Sequence, residues 1–236
     1  MQSRVRQEHI EQPLIYQAQI TALTAGCFKD PFSFLGPHKV NSESYEVRCF
    51  LPGAKTVSVV LDSLIVPAHR QGQSDLFVAT IHTEFAPEYK LDVNYEQGCE
   101  QQYDEYSFVS TLDEQAMYLF NEGSLEHAYK HFGAHFTDQQ GVQGVRFVVW
   151  APNAASVSVI GDFNYWQRSR HFMRFHPASG VWELFIPALK VDQCYKFAIT
   201  TLSGEVLEKA DPFAFKMQQA PGTASVLQCS KAEVHL

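Results

Sequence analysis

The sequence predicts an all-β chain of two tandem immunoglobulin-like β-sandwiches, with short helices at the N-terminus and between the domains. Three observations carry this. First, apolar residues recur at period two over short runs, as in Val145, Phe147 and Val149, or Tyr89, Leu91, Val93 and Tyr95 against Lys90, Asp92 and Asn94. That is the period of strands packed on one face. Second, turn formers such as Ala151-Pro152-Asn153, Gly161-Asp162 and Pro187 punctuate these runs, as a sandwich of short strands requires. Third, the chain repeats itself: residues 52–60 (PGAKTVSVV) align without a gap with residues 152–160 (PNAASVSVI). A period near 100 residues is too long for a solenoid and marks a duplicated domain.

Residues 1–26 read as a helical N-terminal segment. Pro13 suits a first turn, and Leu14, Ile15, Ala18, Ala22 and Ala25 form one stripe before Gly26. Asp30-Pro31 then caps a short helix that stops at Gly36. The first sandwich spans 27–110, with strands at 44–51, 55–61, 75–82 and 88–95. Residues 97–123 are polar and less regular, and 111–123 serve as the linker. Ser124 caps a helix that runs to Gly133, opening the second sandwich at 124–227. Residues 228–236 form a tail.

The repeat extends beyond the aligned block. Gly36-Pro37-His38 matches Gly133-Ala134-His135, and Tyr89-Lys90-Leu91 matches Tyr195-Lys196-Phe197. Asp104-Glu105-Tyr106-Ser107-Phe108 echoes Asp211-Pro212-Phe213-Ala214-Phe215. One feature is not duplicated. The second copy carries the loop Gly161-Asp162-Phe163-Asn164-Tyr165-Trp166, whereas the first reads Leu61-Asp62-Ser63-Leu64.

Composition narrows the function. Eighteen basic against 26 acidic residues leave a net charge of −8, which repels nucleic acid and anionic membranes. The opening MQSRVRQEHIEQ lacks the apolar core of a signal peptide, and no apolar run is long enough to span a bilayer. Five scattered cysteines without a C-x-x-C fit reduced thiols in a cytoplasmic protein. His127, His131 and His135 have the spacing of helical zinc ligands, but Gly133 ends that helix and no carboxylate base flanks them. No glycine-rich phosphate loop or local nucleophile signature occurs, so neither a metal nor a cofactor is expected.

A longer set of motifs runs through nearly the whole chain: DPFSFLGPH (30–38), LPGA (51–54), FNEG (120–123), FGAH (132–135) and VWAPNA (149–154). GDFN (161–164), GVWELFIP (180–187), KADP (209–212) and PGTASV (221–226) complete it. In number, order and spacing they resemble the N-terminal region of bacterial 1,4-α-glucan branching enzymes. These amylase-superfamily enzymes of glycogen synthesis transfer α-1,4 glucan segments to form α-1,6 branches. The resemblance implies a first sandwich peculiar to branching enzymes and a second that is a carbohydrate-binding module preceding a catalytic (β/α)₈ barrel. It implies α-glucan (glycogen, malto-oligosaccharide) as ligand and a missing or separate catalytic barrel as partner. The barrel's catalytic carboxylates would lie beyond this sequence. The chain is therefore expected to supply glucan-binding and scaffold domains with no catalytic residue of its own. The alternatives are a stand-alone glucan-binding module and an inert truncated product.

The expected sugar contacts are Trp166, Lys196 and Asn164. A flat indole stacks on the apolar face of a glucose ring, while an ammonium and an amide bond its hydroxyls. The resemblance assigns sugar contact to Trp166 and Lys196. It also implies a second aromatic platform after Gly204, where this chain offers only Val206. Trp150 and Trp182 lie on strands and read as core or interface residues. Asp162, Glu183 and Asp211 read as turn formers and solvated faces. Phe213, Phe215 and Met217 are expected in an apolar patch that would face the barrel.

Overall fold

The computed structural model describes residues 16–229. Its first half contains α1 (Gln17–Thr24) and seven strands: β1 (Gly36–Asn41), β2 (Ser44–Phe50), β3 (Thr56–Val60), β4 (Ile65–Arg70), β5 (Leu76–His82), β6 (Lys90–Tyr95) and β7 (Gly98–Gln102). They pair antiparallel in the order β1-β2-β5-β4-β3-β6-β7. The continuous ladder folds into two layers because β4 serves both: Val66 and Ala68 pair with β3, while His69 and Arg70 pair with β5. Between the layers lie Val47, Val57, Val59, Phe77, Ile81, Leu91 and Val93, the apolar halves of the alternations.

The second half contains α2 (Glu114–Asn121), β8 (Gly133–Gln139), β9 (Val142–Trp150), β10 (Ala154–Gly161), β11 (Arg174–His176) and β12 (Val181–Pro187). It continues with β13 (Cys194–Thr201), β14 (Val206–Lys209), β15 (Lys216–Met217) and β16 (Ser225–Val226). One sheet runs β11-β12-β9-β8 and the other β10-β13-β16-β15, with β14 also paired to β13. Val145, Phe147, Val157, Val159, Trp182, Leu184, Tyr195 and Phe197 fill the space between them. The fold is thus mostly antiparallel β in two sandwich domains, and no helix among the described residues is long and apolar enough to cross a membrane.

The helices depart from expectation. Helix α1 buries Ile20 and Leu23 rather than the alanine stripe, and Ala18 and Ala25 are exposed. Pro13, Leu14 and Ile15 lie outside the described residues. After Asp30 there is a single 3₁₀ turn, Pro31–Ser33, and Gly36 opens a strand instead of ending a helix. Ser124 opens no helix; its N–H instead closes the C-terminal end of the second helix on the Leu119 carbonyl at 2.9 Å. The second helix is α2, inside the segment read as a linker, where Asp113 Oδ1 accepts from the N–H groups of Gln115 and Ala116 at 3.0 and 3.1 Å. An alternative cap wins because α2 can set Ala116 and Met117 against Phe132, Val148 and Val181, and packing decides where a short helix forms.

The duplication reaches into the hydrogen bonds. His38 Nε2 meets the Leu35 carbonyl at 3.0 Å, and His135 Nε2 meets that of Phe132 at 2.9 Å. Tyr89 donates to Asp104 and Tyr195 to Asp211, each at 2.6 Å. Each aspartate also accepts an N–H two residues on, from Tyr106 at 3.0 Å and Phe213 at 2.8 Å. The glycine opening each sandwich has positive φ, +87° at Gly36 and +96° at Gly133. A Cβ on Gly36 would come 2.5 Å from the Tyr106 carbonyl oxygen, so the latch closes on the bare backbone. Burial pushes both phenols and both carboxyls up. Tyr89→Phe and Tyr195→Phe should each lower stability by about 1.5–3 kcal/mol, the range for a hydrogen bond to a charged group. The shift in urea midpoint at constant slope measures it.

The sandwiches pack against one another. The Phe172 N–H donates to Tyr106 Oη at 3.0 Å, and Arg170 donates to Tyr95 Oη at 2.6 Å. Arg174 donates to the Phe108 carbonyl at 3.1 Å and lies 3.9 Å over the Phe32 ring.

Candidate functional site

The loop between β10 and β11 begins at Gly161, where a Cβ would stand 2.4 Å from the Cys194 carbonyl oxygen. A 3₁₀ turn, Asp162–Asn164, follows. Tyr165 and Trp166 are then both left-handed, with φ of +54° and +60°. Such conformations cost about 1–3 kcal/mol each in a non-glycine residue and persist where the surroundings enforce them.

Asn164 supplies much of the enforcement. It is fully buried; its Nδ2 donates to the Val159 carbonyl at 2.8 Å and its Oδ1 accepts from the Gly161 N–H at 2.9 Å. Both ends of the amide are engaged with backbone, so Asn164 staples the loop rather than presenting its amide to solvent as expected of a sugar contact. The Trp166 N–H closes the turn on the Gly161 carbonyl at 3.0 Å.

Asp162 is more than a turn former. Its Oδ1 accepts from the Trp166 indole N–H at 3.2 Å and its Oδ2 from the Cys194 N–H at 2.7 Å. The carboxylate therefore ties the indole edge to β13 and fixes the ring plane. Two aromatic side chains reach solvent: Tyr165, 79% exposed, and Trp166, 37% exposed. The signal for Tyr165 was its place beside Trp166 in a loop with no apolar partner in sequence.

Lys196 lies on β13 opposite Ile160 and between the core residues Tyr195 and Phe197. It therefore projects from the outer face, one register position from the Gly161 carbonyl that holds Trp166. Among the described residues its ammonium has no hydrogen bond or ion pair. Val206 pairs with Thr200 and is half-buried.

The remaining candidates have structural roles. Glu183 and Asp211 are buried, not solvated. Glu183 accepts from the Ser110 hydroxyl, the Thr111 N–H at 3.1 Å and His176 Nε2 at 3.2 Å; Asp211 belongs to the tyrosine latch. His127 precedes a 3₁₀ turn, His131 follows it and His135 sits in β8, so no helix face joins them. Trp182 is core, its indole donating to the Ala151 carbonyl at 2.9 Å. Trp150, read as a core or interface residue, is not in the core: it is 54% exposed, its ring edge-on to Phe120. Phe215 and Met217 are exposed, while Phe213 is half-buried and stacks on Phe132.

Comparison with known proteins gives matches in both halves. Residues 16–106 match the N-terminal domain of the α-1,4-glucan branching enzyme GlgB, and residues 131–214 match carbohydrate-binding module 48, the isoamylase N-terminal domain. The 1,4-alpha-glucan branching enzyme GlgB of Methylobacillus flagellatus is 45% identical over 197 residues, 83% of this chain and 27% of that protein. The Saccharophagus degradans enzyme of the same name is 44% identical over 88% of this chain and 29% of its own length. Among solved structures, a pullulanase from Anoxybacillus sp. LM18-11 aligns over 85% of this chain and 28% of its own at 15% identity and a TM-score of 0.36, too distant to bear on function. The chain spans less than a third of the length of the curated relatives it matches. With both halves matched in order, it belongs to the bacterial 1,4-α-glucan branching enzyme family and corresponds to that family's N-terminal domain and carbohydrate-binding module.

Proposed function

We propose that the second sandwich binds α-glucan, as glycogen or malto-oligosaccharide, through Trp166 and Lys196. The two sandwiches together supply the glucan-binding and scaffold part of a branching reaction, and the catalytic barrel is contributed from outside these residues. The observation that carries this is the indole of Trp166: an exposed ring on left-handed backbone, with its N–H pinned by Asp162. A pinned ring loses little freedom when a sugar stacks on it. The unpaired Lys196 ammonium supplies donors for hydroxyls. The three carboxylates weighed in the sequence are engaged separately in a loop, a domain seam and a core latch. None is paired across a cleft as glycosyl transfer requires.

With one platform, affinity for maltoheptaose should be near millimolar, on the order of −4 kcal/mol. Titration followed by indole fluorescence and amide NMR shifts tests this. Trp166→Ala should abolish measurable binding at the 161–166 loop, and Lys196→Ala should weaken it several-fold at unchanged melting temperature. Unaltered affinity in Trp166→Ala would overturn the assignment.

A further inference from the structure

The candidate site has a counterpart in the first sandwich. Lys196 stands opposite Ile160, and Lys90, its match in the repeat, stands opposite Val60 in the same register. Asp162 follows Ile160 by two residues, as Asp62 follows Val60. Where the second sandwich places its aromatic loop, the first makes a tight turn closed by the Leu61 N–H on the Leu64 carbonyl at 2.8 Å. Next to it is a cavity of about 430 Å³, whose lining includes Asp62, Glu88, Lys90, Gln101, Tyr103 and, from the second sandwich, Gln140. Ligand pockets commonly measure about 300–1,000 Å³.

An aromatic ring is present here by another route. Tyr103 follows β7, whose Gln102 pairs with Leu91, and this brings its ring beside Lys90 with the ammonium 4.7 Å from the centroid. In the second sandwich the matching residue, just before the latch aspartate, is Ala210. The first sandwich thus has the lysine and the aspartate of the loop site, with the platform moved from the loop to the neighbouring strand. Among the described residues, neither the Lys90 ammonium nor the Tyr103 hydroxyl has a hydrogen-bond partner.

We propose that this cavity is a second saccharide site, taking a neutral polyhydroxylic chain with Tyr103 as platform and Lys90, Asp62 and Gln101 bonding hydroxyls. Lys90 faces two carboxylates, Asp62 and the exposed Glu88, among amides and hydroxyls, so the lining disfavours an anion and offers a polyol both donors and acceptors. The choice of α-glucan rests on the function proposed above, while the cavity and its duplicated residues do not.

Titrating the ¹⁵N-labelled chain with maltoheptaose distinguishes the two sites. The amides of Lys90, Gln101, Tyr103 and Gln140 should shift along an isotherm separate from that of the 161–166 loop. Trp166→Ala should remove only the loop response. Tyr103→Ala should weaken only the first-sandwich response, about tenfold, and Lys90→Gln several-fold, with Lys90→Gln deciding if Tyr103→Ala fails to fold. First-sandwich amides that stay still at saturating maltoheptaose, or shifts that survive both substitutions unchanged, would overturn the proposal. A silent loop beside a responding first sandwich would instead sink the Trp166 reading and leave this one standing.

Discussion

Trp182→Ala should destabilise the second sandwich by about 3–5 kcal/mol, the range for removing a large aromatic from a packed core. The ring is fully buried, tilts against Phe175 at 4.7 Å between centroids and pairs through its backbone with Val149. Its indole N–H also holds the Ala151 carbonyl at 2.9 Å, at the corner where the chain leaves β9 for β10. Truncation would open a cavity and leave that carbonyl without its donor, so two separate penalties add. Trp182→Phe keeps most of the volume and loses only the hydrogen bond, for about 1–2 kcal/mol. Trp166→Ala removes a partly exposed ring and should cost less than about 1 kcal/mol of stability. Chemical denaturation of the three variants checks the order. Equal losses in Trp182→Ala and Trp166→Ala would mean that the two tryptophans have been given the wrong roles.

What the sequence showed of this fold follows from how each element is buried. Strands β2, β3 and β6 were legible because one face of each meets the core, and alternation reports that directly; β5, buried on both faces from Leu76 to Ala79, was legible as a short apolar run. Strands β1, β4 and β7 were not. β7 is GCEQQ and almost wholly exposed, β4 contains Pro67, and β1 turns polar after Gly36. Exposed or edge strands leave no hydrophobic period to read. The misplaced helix has a related cause: Ser124 and Asp113 are equally good caps, and only the apolar surface of β9 and β12 chooses between them.

The site was legible where chemistry singles out a residue and opaque where direction matters. A tryptophan and an unmatched loop marked Trp166, and the family resemblance marked Lys196. The amide of Asn164 suits a sugar hydroxyl as well as a peptide carbonyl, and only the fold shows that it points at Val159. Glu183 read as a solvated strand residue because its partners, Ser110 and Thr111, are 73 and 72 residues away.

That same glutamate contributes to the acid limit of stability. Glu183→Ala should cost about 2–3 kcal/mol, because Ser110, Thr111 and His176 all lose their acceptor at the seam between the sandwiches. Burial alone would raise the Glu183 pKa, but the hydrogen bonds from His176, Ser110 and Thr111 outweigh it and hold the carboxyl below its ordinary value. A carboxylate with a lowered folded pKa stabilises above its unfolded value, about 4.3, and loses that contribution as pH falls through the folded one. The half-buried Glu105 has the opposite sign. Burial, and then the adjacent Asp104, push it up to about 7. Its contribution is complete below the unfolded value and disappears as pH rises through about 7. Buried Asp104, pushed up to about 6, adds to this loss, whereas His171, held down to about 3 by burial, opposes it below its unfolded value of about 6.5. Melting temperature should therefore decline across about pH 6.5 to 7.5 and fall again in acid. Glu105→Gln should flatten the alkaline limb and Glu183→Gln should shrink the acid limb, each leaving the other in place. A melting temperature that climbs between pH 6.5 and 7.5 in both the wild type and Glu105→Gln would show that the seam around Tyr106 does not control this titration.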